Sequence, residues 1–138
     1  MPEYRLPIRV YIEDTDAGGI VYYVNYLKYF ERARTELIRS LGVDKTAVME
    51  DGSVFVVTSA AIDYLAPARL DDQLEAVAEV VKNGAATIEF RQSVVRSGIE
   101  LASGQVRVAL TDGESGKPKR MPQGLSLIHI SEPTRPLS

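Results

Sequence analysis

The order of hydrophobic patterns predicts an α+β fold, a five-stranded antiparallel sheet folded over one long helix. Three observations predict it. One amphipathic run, Val21 to Leu41, has helical period. One period-two segment precedes it, and four follow it with turn residues between most of them. Strands joined by tight turns pair antiparallel, and a single amphipathic helix needs such a sheet to bury its stripe.

The elements follow in order. Ile8, Val10 and Ile12 alternate with Arg9, Tyr11 and Glu13, which reads as a strand over Leu6 to Glu13. It leads into the carboxylates Asp14 and Asp16 and the joint Ala17-Gly18-Gly19, where glycine permits close backbone approach. In the helix, Tyr26, Phe30, Ala33, Leu37 and Leu41 form the apolar stripe, widened by Leu27 and Ile38. Lys28 with Glu31, Arg32 with Glu36, and Glu36 with Arg39 are spaced to pair on the other face. Gly42 is a stop signal, and Asn25 is the best capping type near the start. Asp44 to Glu50 reads as a short helix or turn before Asp51-Gly52. Strands are then expected over Val54 to Leu65, Leu74 to Lys82, Ala86 to Arg96 and Leu101 to Thr111. Pro67 breaks the first of these, and Asn83-Gly84 and Ser97-Gly98 are hairpin signals.

Composition narrows the function classes. A chain of 138 residues suggests one domain. There is no cysteine, hence no disulfide, thiolate nucleophile or cysteine metal site. The net charge of −3 offers no basic field for nucleic acid. No apolar run approaches the ~20 residues of a membrane span, and Met1 to Val10 lacks the apolar segment of a signal peptide. We therefore expect a cytoplasmic protein. The one histidine, His129, falls in Gly124–Ser138, an aperiodic tail that resembles translated adapter sequence. The domain is accordingly placed at residues 1–123 and the tail set aside as non-native or disordered. Without that histidine there is no Ser-His-Asp triad and no histidine metal cluster. No cofactor is implied.

A carboxylate, a glycine joint and a helix N-terminus in sequence place an anion beside unsatisfied N–H groups, an arrangement suited to attack on a carbonyl. Glu13, Asp14 and Asp16 are the carboxylates placed to supply a nucleophile or base, although Asp is also a common turn residue. Of the two aspartates, Asp14 reads better as a structural turn residue. Glu31, two helical turns past Tyr23, reads as a solvated or paired side chain.

The stretch Glu13 to Glu36, EDTDAGGIVYYVNYLKYFERARTE, resembles the hotdog-fold acyl-CoA thioesterases. The likeness is to the family that joins 4-hydroxybenzoyl-CoA thioesterases and the Tol-Pal-associated, YbgC-type thioesterases. Tyr64 to Asp72, Gly116-Lys117-Pro118 and Met121-Pro122 also match, so the resemblance spans about residues 5 to 122. It implies a hotdog fold, the five strands wrapped around the one long helix, with acyl-CoA held between protomers paired edge to edge, usually as a dimer of dimers. It puts the catalytic carboxylate at Asp16 and the oxyanion donor at the Tyr23 backbone N–H. Val57 and Thr58 are candidates to line the acyl pocket, with core packing as the alternative. Arg69, Lys82, Lys117, Lys119 and Arg120 are basic, but none is assigned to CoA. Tyr23 stands where many YbgC-type members have histidine and follows the hydroxybenzoyl-CoA branch. Glu31 to Glu36 and Pro67-Ala68-Arg69 follow the YbgC type. The competing expectation is a non-catalytic hotdog protein that binds acyl-CoA or acyl-carrier protein; a third reading is an enzyme that acts on acyl-carrier protein instead of CoA.

Overall fold

The computed structural model describes residues 2–42 and 52–121. Its elements run β1 (Glu3–Arg9), a 3-10 turn (Ile12–Asp14), α1 (Asn25–Ser40), β2 (Ser53–Tyr64), β3 (Gln73–Asn83), β4 (Thr87–Arg96) and β5 (Ile99–Asp112). The strands form one antiparallel sheet in the order β1-β3-β4-β5-β2. The predicted α+β class is therefore observed. The segment 43–51, where a short helix or turn was expected, and the tail beyond residue 121 lie outside the described residues.

Most boundaries shift by one to three residues from the sequence reading, and two shift by four. The first strand ends at Arg9 instead of Glu13 because its partner ends there: Arg9 pairs with Gln73, the first residue of β3. Beyond it, the Asp14 carboxylate accepts a hydrogen bond from Tyr11 N (2.9 Å) and turns the chain. The alternation through Ile12 misleads, since that side chain is 75% exposed. The helix begins at Asn25, not near Val21, because the preceding N–H groups are engaged elsewhere. Val21 N donates to Ala68 O and Tyr22 N to Asp14 O. Val24 holds the capping position and Asn25 lies inside the helix, so Asn25 is not the cap.

The α1 stripe buries Tyr26, Tyr29, Phe30, Ala33, Leu37 and Ile38 against Leu74, Ala76, Ala78, Val80, Ile88, Phe90 and Val94. Leu27, expected in the stripe, is exposed. Of the expected helical ion pairs only Glu36–Arg39 forms (2.8 Å); Arg32 instead lies over the Tyr29 ring, 5.8 Å from its centroid. Arg34 is buried in this layer. Its guanidinium donates to Gln92 Oε1 (3.0 Å), and Gln92 Nε2 donates to Phe30 O (2.8 Å), so a polar bridge ties helix to sheet. Burial lowers the Arg34 pKa, and Glu31 counteracts this in part.

The hairpin signals differ in outcome. Ser97 and Gly98 both have positive φ (51° and 81°), the conformation of a two-residue hairpin turn. Asn83-Gly84 sits at the right place, but the connection is three residues long and is closed by Gly84 N donating to Thr87 O (2.8 Å).

The helix packs chiefly on β3, β1 and β4. This leaves β2, the longest edge strand, exposed over Val56 to Ala61. Its register with β5 slips between Val57 and Ser59, so Thr58 is the bulged residue. Close approach of the two strands depends on Gly104: a side-chain carbon there would run into the Ala61 carbonyl oxygen. Gly104→Ala is expected to destabilise the fold by about 1–3 kcal/mol, read as a lower urea midpoint. An unchanged midpoint would show that β2 and β5 do not close this tightly.

Candidate active site

The chain between β1 and α1 supplies most of the site, and a second segment, residues 66–72, holds it in place. Ile20 bridges to Arg69, Val21 N donates to Ala68 O (2.8 Å), and Leu70 N donates to Gly19 O (3.0 Å). Ala68 N in turn donates to the Tyr26 hydroxyl (3.0 Å), which links this segment to the helix. Within the loop, Thr15 bridges to Val21 and Asp16 N donates to Ile20 O (3.0 Å), so residues 15–21 form a small hairpin. Gly19 turns it with φ +76°.

The carboxylates take different places. One Asp16 oxygen accepts from Gly18 N (2.9 Å), and the residue is exposed. Asp14 turns its carboxylate back to Tyr11 N, the structural role the sequence suggested. Its backbone carbonyl accepts from both Tyr22 N (2.9 Å) and Asn25 Nδ2 (2.8 Å). The buried Tyr29 hydroxyl lies in the field of the Asp14 carboxylate but makes no hydrogen bond of acceptable geometry. Burial raises the Tyr29 pKa, and the field of the Asp14 carboxylate raises it further, so this phenol stays neutral.

At the helix start, Asn25 N, Tyr26 N and Leu27 N are engaged by carbonyls three residues earlier. The Tyr23 and Val24 N–H groups make no hydrogen bond among the described residues. Tyr23 lines an open cavity of about 310 Å3 with Ile20, Val21, Tyr26, Tyr64 and Leu65. The Tyr64 ring stands edge-on to Tyr23 (5.9 Å) and tilted to Tyr26 (5.4 Å). Burial raises the Tyr64 pKa, with smaller contributions from Tyr23 and Tyr26, so its hydroxyl remains protonated near neutrality.

Of the residues assigned to the site from sequence, only Tyr23 lines this cavity. Asp16 sits on the adjoining hairpin, outside the cavity wall of the single chain. Glu13 and Asp14 line a different cavity of about 280 Å3, together with Arg9 and Arg32. Val57 and Thr58 lie exposed on β2, away from the cavity, and so do not pack in the core of this chain. Glu31 is exposed, as expected for a solvated face. Tyr26, Tyr64 and Leu65 were missed as cavity walls. Tyr64-Leu65 preceding Pro67 was legible as a strand end, but nothing local places it beside a helix start.

Comparisons with known proteins agree with this architecture. The sequence profile of the thioesterase superfamily matches residues 18–103. The chain belongs to that superfamily. It is thereby a thioester hydrolase with the hotdog fold. It is 44% identical over 121 residues to a protein of Haemophilus influenzae named acyl-CoA thioesterase YbgC, an alignment covering 87% of this chain and 89% of that one. A protein of Escherichia coli named acyl-CoA thioester hydrolase YbgC is 39% identical over 123 residues, covering 88% and 92%. Among solved structures, a probable thioesterase from Bartonella henselae superposes with TM-score 0.81 at 31% identity, covering 87% of this chain and 99% of that one. No helix among the described residues is long and apolar enough to cross a membrane.

The 66–72 segment is stabilised by Asp72. Burial alone would raise its pKa. Arg69 N (2.9 Å) and the Arg96 guanidinium (2.7 Å) outweigh that and hold the carboxyl below its ordinary value. A depressed folded pKa contributes stability above the unfolded value, about 3.9, and loses it as pH falls through the folded value. Asp72→Asn should therefore be less stable than wild type at neutral pH. In pH-dependent unfolding the gap should close on acidification below about pH 4. A gap independent of pH would contradict the ion pair.

Proposed function

We propose that the chain hydrolyses acyl-CoA thioesters, with Asp16 as nucleophile or general base and the Tyr23 N–H as oxyanion donor. The observation that carries this is the Tyr23 amide, which makes no hydrogen bond among the described residues and belongs to a residue that lines an apolar, tyrosine-rich cavity beside the start of α1. Relatives named acyl-CoA thioesterases supply the substrate class. A thioester oxygen placed against Tyr23 N would receive the charge that develops as the carbonyl carbon becomes tetrahedral. The first turn of the helix adds its partial positive charge there. Either the Asp16 carboxylate attacks that carbon, or it takes the proton of an attacking water. In both routes the carbon–sulfur bond breaks and one water is consumed: its hydroxyl completes the acid, in the nucleophilic route by opening the acyl–Asp16 anhydride and restoring the carboxylate, and its other proton passes to the CoA sulfur, which leaves as the thiol. The donor is main chain, so tyrosine serves here as well as histidine.

We further propose that the site is completed by a second copy of the chain. The exposed β2 edge, carrying Val56, Val57 and Thr58, would pair with its symmetry mate. Acyl groups would then enter between protomers, where Val57 and Thr58 could reach them. We assign the catalytic domain to residues 1–123 and place the protein in the cytoplasm, with further pairing of dimers into a tetramer.

Asp16→Asn is expected to lower kcat on acyl-CoA substrates by at least about 100-fold, as loss of a group acting only in the transition state does. Asp14→Asn should retain most activity, because an amide oxygen can still accept from Tyr11 N. A panel of acyl-CoAs assayed by free thiol release checks both. Undiminished turnover by Asp16→Asn would overturn the assignment. Binding of acyl-CoA without turnover by the wild type would favour a carrier or scaffold role instead.

A further inference from the structure

We infer that Asn25 is a positioning residue, which sets the Asp16 carboxylate relative to the Tyr23 N–H through a hydrogen bond to the Asp14 carbonyl. The inference rests on the assignment of Asp16 above. Asn25 is a polar residue at the first position of α1, 9% exposed, and does not cap the helix. Its backbone N–H is engaged by Tyr22 O (2.8 Å). Its side chain instead spans eleven positions to donate to Asp14 O (2.8 Å). A carbonyl only accepts, so the amide must present its NH2 group there.

That same oxygen accepts from Tyr22 N, the residue immediately before the free amide. Two donors therefore occupy both lone pairs of one carbonyl. The two bonds act as struts between the carboxylate-bearing loop and the first helical turn. Asp16 lies two residues beyond this anchor, in the hairpin closed by the Thr15–Val21 bridge and the bond from Asp16 N to Ile20 O. With the Asn25 strut removed, the loop keeps only the Tyr22 bond at that oxygen and can hinge about it. The Asn25 side chain bonds the Asp14 carbonyl and does not line the cavity. Its loss should misplace the carboxylate while leaving the cavity intact.

The test compares Asn25→Ala, Asn25→Asp, Asn25→Ser and Asp16→Asn with wild type in full-length protein. Assays run well below each variant's Tm, with kcat expressed per folded protein. Asn25→Asp preserves size but turns an acceptor toward the Asp14 carbonyl. Asn25→Ser keeps a short donor. The expected result is a kcat about 10–100-fold lower for the alanine and aspartate variants, as a misplaced reacting group predicts, with KM close to wild type. The serine variant should lose less. Wild-type kcat in folded Asn25 variants, with Asp16→Asn inactive, would overturn the positioning role and leave the proposed function standing. A lower Tm with unchanged kcat, or a loss carried by KM alone, would likewise show a structural role only. Full activity of Asp16→Asn would remove the proposed function, and this inference with it. Should the alanine and aspartate variants fail to fold, the serine variant alone decides between these outcomes.

Discussion

The carbonyl oxygen of Asp14 is the point on which the site depends. Fifteen residues separate β1 from α1, and a span of that length has many conformations open to it. The loop is ordered because its polar groups are satisfied at defined partners: Asp14 O by Tyr22 N and Asn25 Nδ2, Asp14 Oδ2 by Tyr11 N, Val10 N by Asp72 O, and Val21 N by Ala68 O. These bonds also determine what remains unbonded. Once Tyr22 N is committed to Asp14 and the helix begins its own bonding at Asn25 N, the Tyr23 and Val24 amides are left without an acceptor from the described chain. A donor with no internal partner at a cavity wall is available to a ligand.

The rest of the fold serves this geometry. α1 is held by its apolar stripe and by the Arg34–Gln92–Phe30 bridge, a buried charge-assisted link that resists sliding of the helix along the sheet. The 66–72 segment meets the loop as a short pairing surface and is itself held by Asp72 between Arg69 N and Arg96. The first helical turn, the loop hairpin and the end of β2 are thus three separate supports for one cavity. The first two are tied to the 66–72 segment, distant in sequence, through Tyr26 and through Gly19, Ile20 and Val21.

Distance in sequence decides how much could be read beforehand. Elements with repeated local patterns were legible: the α1 stripe through Tyr26, Phe30, Ala33 and Leu37, the alternation of Ile88, Phe90 and Val94, and the Ser97-Gly98 turn. The loop was not, because its conformation is set by partners such as Ala68 and Asp72, some fifty residues away or more. Alternation through Ile12 continues past the end of β1, since period-two patterning does not reveal where a pairing strand runs out. Asn25 looked like a helix cap from its type, whereas its side chain serves a carbonyl in the preceding loop. Of the site, the Asp16 and Tyr23 assignments came from family resemblance. The tyrosine walls came from tertiary structure, which brings Tyr64 against Tyr23 and Tyr26.

The mixed motif at the helix start is easier to understand in these terms. A side chain at position 23 projects into solvent and toward Tyr64, with more than half of its surface exposed, while its amide makes no hydrogen bond among the described residues. The two parts of the residue are therefore under different constraints. The amide requires only that the backbone follow the path set by Asp14, Tyr22 and Asn25, and many side chains permit that path. The side chain is free to vary with whatever the cavity must admit. In the proposed reaction the donor would thus persist across a His-to-Tyr exchange, and substrate preference would shift through the ring that occupies the cavity wall, without change to the carboxylate or to the struts that hold it.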